Sequence, residues 1–172
     1  MDFRSLLISF PSGQEKELYI AEVGASEKYF GELMDIALHE DDPLAWRAAW
    51  ILDGSDEQFP GLAEDFVASI VKALPGIKSK GTIRSLLRLM CRYDIGEDEQ
   101  GILIDLCFKY LVSELYPVAV KVHAMQIVYN HALIYPELKE ELILVIEDQV
   151  GNNTVGFKSR GVRLIKKLKG KT

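Results

Sequence analysis

Residues 41–50 read Asp41-Asp42-Pro43-Leu44-Ala45-Trp46-Arg47-Ala48-Ala49-Trp50. Two acids make a turn, and Pro43 suits a first helical position because its missing N–H has no partner there. An apolar-basic pair then leads into small residues. The same register returns every 37 residues. Trp46, Ile83, Val120 and Phe157 are all apolar, and the positions after them hold Arg47, Arg84, Lys121 and Lys158. Upstream, Leu33, Ile70, Cys107 and Leu144 form another column, and Met34, Val71, Phe108 and Val145 a fourth. Columns held in one register over four units mark a stacked repeat, in which each unit buries its apolar stripe on its neighbours. They are not the mark of a single-core enzyme.

Working outward, every substantial segment carries a helical period and none alternates as a strand does. Ser12 and Glu15 have the spacing of a capping box before a short helix that closes at Gly24. Helices are expected from Ser26 to Leu38, from Pro43 to about Asp53, over 61–74, and from Ser79 to about Tyr93. Four more follow over 98–114, 117–131, 136–150 and 154–169. The units then fall at 26–59, 60–96, 97–134 and 135–172, with 1–25 as capping helices. Trp50, Leu87, Ala124 and Gly161 form a column of shrinking volume, which predicts closer helix approach toward the C-terminal end.

Across 172 residues the net charge is −6, but it is unevenly spread. From Gly156 onward there are seven basic residues and no acid, leaving 13 basic against 26 acidic residues before it. Such an end either meets an anionic partner or stabilises the C-terminus of a last helix. Cys91 and Cys107 lack CxxC spacing, and the N-terminus lacks the basic and apolar regions of a secretory leader, so a reducing, cytoplasmic setting is expected. No run approaches the ~18 apolar residues of a membrane span, and no membrane partner is expected.

A helix, a turn with an acid and a second helix opening apolar-basic resembles the HEAT repeat. Asp41 with Trp46-Arg47-Ala48-Ala49 matches best, and Val120-Lys121-Val122-His123-Ala124 next; the resemblance covers residues 26–172. Lys78, Leu115 and Asn152 depart from it where a turn acid belongs, and Glu140 and Asp148 interrupt apolar columns. The resemblance implies an all-α, right-handed α-solenoid of about four helix pairs, an armadillo-like superhelix whose second helices line a concave face.

Arg84, Arg88 and Arg92 are one turn apart and share a helix face. Arg47 with Ile51, then Lys121, Met125 and Tyr129, then Lys158, Val162 and Lys166 hold the corresponding positions. The resemblance turns these into a mildly basic concave face. It implies a non-catalytic module that binds a protein or peptide, acidic in character, through Arg47, Arg84, Arg88, Arg92, Lys121, Met125, Tyr129 and Lys158. The bland alternative is that these cations pair with acids of adjacent repeats and order the stack. HEAT-like DNA glycosylases of the alkylation-repair type suggest a second function, but the net acidity puts nucleic acid behind protein as a partner. A third is self-association, the basic tail of one chain docking on the acidic body of another. The sequence leaves the oligomeric state open.

Other candidates are weaker. Trp46 and Trp50 fall in apolar columns and read as core rather than as a stacking site. His39-Glu40-Asp41-Asp42 has ligand-type side chains but no second His or Cys cluster at ligand spacing, so no metal is expected. Nucleophile, Walker and dinucleotide motifs are missing, so neither catalytic residues nor a cofactor are expected.

Overall fold

A computed structural model describes residues 1–10 and 12–170; Lys171 of the basic tail lies outside them. Among the described residues the chain forms ten α-helices and two 3-10 turns, with no strand. It divides into two compact units, Met1–Gly96 and Glu97–Thr172.

The first unit contains α1 (Phe3–Ser9), α2 (Gln14–Gly24), α3 (Glu27–His39), α4 (Leu44–Gln58), α5 (Val67–Ala73) and α6 (Lys80–Met90). Its centre is α4, which packs on α1, α2, α3 and α6. Being covered on most sides, α4 buries Ala45, Ala48, Ala49, Ile51 and Leu52, and also Asp53, Ser55 and Asp56. Ser55 Oγ donates to the Ile20 carbonyl of α2 at 2.8 Å, which satisfies a hydroxyl taken wholly from water.

In the second unit lie α7 (Glu97–Val112), α8 (Val118–Ala132), α9 (Glu137–Val150) and α10 (Val155–Leu168). Here α8 is the central helix, packing on α7, α9 and α10. The α7 first turn holds Glu97, Asp98 and Glu99, and the α10 last turn Lys166 and Lys167, each matching the sign the helix dipole favours.

Several helix starts follow from side chains that replace missing backbone bonds. Ser26 accepts from the Tyr29 amide at 3.3 Å, and Ser79 from the Thr82 amide at 3.2 Å. Three expectations need correcting. No side chain caps α2, whose N-cap is Gly13 rather than Ser12. The helix after Pro43 runs on to Gln58, and Pro43 itself is the N-cap. Over 61–74 there is no long helix but a 3-10 turn at Glu64–Phe66, the short α5 and a second turn at Leu74–Gly76. Gly61 has φ 106, and the Gly61 and Ala63 amides donate to Tyr93 Oη at 3.1 and 3.2 Å, so the backbone there is committed elsewhere.

At Gly161 α10 lies tight against α9: a Cβ added there would lie 2.6 Å from Ile146 Cγ2. Tight approach is not graded along the chain, however, because a Cβ on Gly54 of α4 would lie 2.7 Å from Ile20 Cδ1 of α2. Ala in place of Gly161 gains about 1 kcal/mol of helix propensity but meets a methyl on a stiff, β-branched side chain. Gly161→Ala is therefore expected to lose about 1–2 kcal/mol net in urea denaturation. An unchanged or raised midpoint would show that the helices part without cost.

Candidate functional site

In the first unit the basic column meets acids. Asp53 and Asp56 of α4 are 4% and 1% exposed, and α6 with the turn after it brings two guanidinium groups to them. Arg88 Nη1 donates to Asp53 Oδ2 at 2.5 Å and its Nη2 to Glu57 Oε1 at 2.7 Å. One turn on, Arg92 Nε donates to Asp56 Oδ2 and its Nη2 to Asp53 Oδ1, both at 2.9 Å. Tyr93 Oη donates to Asp56 Oδ1, which also accepts from the Ala63 amide at 3.2 Å. The cluster thus ties α4, α6 and the 59–66 turn together.

Its electrostatics follow from those bonds. The hydrogen bond to Glu57, then that to Asp53, raises the Arg88 pKa above its ordinary value. The Arg88 hydrogen bond holds the Glu57 carboxyl below the usual range. Burial, then the hydrogen bond to Asp56, pushes the Tyr93 phenol up to about 12.

Arg47 is occupied elsewhere in the same unit. Its Nη1 donates to the Leu7 and Ile8 carbonyls at 2.7 and 3.1 Å, closing the C-terminal end of α1. Its guanidinium also lies over the Phe10 ring, 4.8 Å from the centroid. Trp46 and Trp50 are half-buried rather than core, and Phe10 packs on both, with ring centroids 5.1 and 5.5 Å away. Of the four arginines expected as contact residues, only Arg84 stands exposed with no ion pair among the described residues.

The second unit requires a correction. Lys121 and Met125, expected as contact residues, are buried at 4% and 0% exposure. Lys121 Nζ reaches Gln149 Oε1 of α9 at 3.3 Å, and Met125 lies under the Gly161 turn of α10. Tyr129 is half-buried on α8. Lys158 alone of this set is exposed, on the outward side of α10. With Val155, Ser159, Val162, Arg163 and Lys166 it lines a shallow groove of about 490 Å³. Val155 is 84% exposed and Val162 40%. Lys158, Arg163 and Lys166 have no acid partner among the described residues.

No signal in one repeat reveals this groove; the exposure of two valines does. His39, meanwhile, is engaged by its own helix, Nδ1 lying 2.9 Å from Asp35 Oδ1. Among the described residues no group of three His, Cys, Asp or Glu is placed to hold a metal. No helix among them is long and apolar enough to cross a membrane.

Stacked helix pairs joined by short turns, with no strand among the described residues, define an α-helical repeat protein. The HEAT repeat domain family matches residues 5–168, and the chain belongs to that family. HEAT repeats generally act as protein-interaction scaffolds, and the family is typically non-catalytic. No curated protein and no solved structure matches the chain.

Removing Arg92 leaves two buried carboxylates short of partners. Because its side chain is 28% exposed, the loss falls below that of a fully buried pair. Arg92→Ala is expected to cost about 2–3 kcal/mol in urea denaturation, against under ~0.5 for Arg84→Ala. Equal effects would show that the cluster contributes nothing beyond surface charge.

Tyr93 adds a pH dependence. Its folded pKa lies above the ordinary value of 10.0, so its contribution is fully present below pH 10 and is lost as pH rises through about 12. The stability gap between wild type and Tyr93→Phe should therefore stay constant below pH 10 and close above it. A gap that persists in strong alkali would contradict the assignment.

Proposed function

We propose that the chain is a non-catalytic interaction module that binds an acidic protein or peptide through the outward face of α10. The observation that carries this reading is the exposure of Val155 and Val162 between Lys158, Arg163 and Lys166. Val155, Ser159, Val162 and Lys166 run down one side of the helix at three- and four-residue steps, making an apolar seam with cationic borders. A helix laid along the seam covers the valines, and its acids meet the border cations, which set orientation and speed encounter more than they add affinity. Two valines at about 1.5 kcal/mol or more each fall well short of the ~8 kcal/mol of a micromolar complex, so the contact is weak and draws on the border cations as well. Arg84 of α6 is the other exposed member of the basic column and is a secondary candidate.

Protein is favoured over nucleic acid by the scaffold role general to the family and by the apolar seam, which phosphates do not need. The test is fluorescence anisotropy with three probes: a capped helical Leu/Glu peptide with leucines seven residues apart, its scrambled isomer, and a short DNA duplex. The helical peptide should bind, with affinity at least tenfold weaker to Lys158→Glu/Lys166→Glu. Tighter binding of the duplex, with steep loss as salt rises, would overturn the protein reading. Equal binding of the two peptides would reduce the site to unspecific charge.

A further inference from the structure

The helix beside α10 carries the opposite sign. Glu137, Glu140, Glu141, Leu144, Glu147 and Asp148 of α9 fall at three- and four-residue steps, on the side away from buried Leu142 and Ile146, and all six are exposed. Leu144 stands in the middle of that acidic stripe at 66% exposure. Over its length α9 has five acids and one lysine, whereas α10 has five basic residues and no acid. The unit therefore presents an acid-bordered leucine on one helix and a basic-bordered valine seam on the next.

We infer that the occupant of the α10 seam is α9 of a second copy of this chain. The inference rests on the reading of α10 as a contact face and names its partner. Val155 and Val162 are seven residues apart, about 10 Å along the helix axis, which leaves a gap for one large apolar knob. Leu144 supplies that knob. Glu141 and Asp148, likewise seven residues apart and flanking it, meet the cations beside the valines. Within one chain Glu147 pairs with Lys169, just past α10, at 3.2 Å, whereas Glu141, Leu144 and Asp148 have no partner on α10 among the described residues, so it falls to another copy to bring them to the valine seam. Because two different patches meet, the contact is head-to-tail, and assembly grows with concentration.

The test is sedimentation equilibrium of the full chain from micromolar to millimolar concentration, at low and high salt. Wild type should gain weight-average mass with concentration and lose it with salt. Two variants reverse one patch each: Lys158→Glu/Lys166→Glu on α10 and Glu141→Lys/Asp148→Lys on α9. All four positions are exposed, and circular dichroism checks that both variants fold. Each variant alone should associate at least tenfold more weakly, because like charges then face each other. An equimolar mixture should recover association, since the acidic α10 of one variant meets the basic α9 of the other.

Wild type that stays monomeric, variants that associate as wild type does, or a mixture that fails to recover would each overturn the inference. The anisotropy probe separates this failure from the broader one. A monomeric wild type that still binds the helical Leu/Glu peptide on α10 leaves the contact face standing with a different partner. A monomer that binds no peptide removes both readings.

Discussion

Two carboxylates on α4, Asp53 and Asp56, are withdrawn almost completely from water, and much of the first unit is arranged around that fact. A buried carboxylate is tolerable only when cations and hydrogen-bond donors replace its lost hydration. Turning them outward is not available to α4, which is packed by α1, α2, α3 and α6. The donors must come to the acids instead. Arg88 and Arg92 arrive one turn apart from the α6 side, matching acids three and four residues apart on α4, which fixes the register of the two helices. Tyr93 and the Ala63 amide complete the shell, and in doing so hold the 59–66 turn out of the helix its composition would allow.

That constraint explains which parts of the molecule were legible in the sequence. The apolar columns are set by burial alone, so Leu33, Ile70, Cys107, Ile83, Val120 and Phe157 read correctly as core. Leu144, in the same columns, did not: it faces outward at 66% exposure. Starts at Ser26 and Ser79 were legible because the cap acts within three residues. From sequence the helix ends at about Asp53, and Asp56 and Glu57 take no role, since the partners of these acids lie 31 to 39 residues away. A pair of acids at i, i+3 answered one period later by arginines at i, i+4 was the available signal. Its meaning depends on which helix faces which, and one helix does not contain that information.

The basic column shows how a repeat decouples residue type from role. The register sets where a cation falls; the packing around its helix sets what the cation does. On α6 the column member Arg84 is exposed, while Arg88 and Arg92, one and two turns on, are used up by the acids of α4. On α8, packed by α7, α9 and α10, it turns inward, so Lys121 and Met125 are buried. On α10, which packs on α8 and α9, it faces solvent. There, and at Arg84 of α6, the pattern retains side chains with no acid partner among the described residues.

Solubility alone does not account for the character of that last helix. An outer face built only for water mixes both signs and leaves few large apolar groups exposed. Here the signs are separated, acids on α9 and cations on α10, which forgoes the favourable i, i+4 pairs that mixing along each helix supplies. Nor does helix stability require it: Lys158 sits in the first turn of α10, where the dipole disfavours a cation. Val155, in that same turn, is 84% exposed. A cation and a valine placed against both local preferences, opposite in sign to the stripe on the neighbouring helix, are accounted for by a contact that neither helix makes within its own chain.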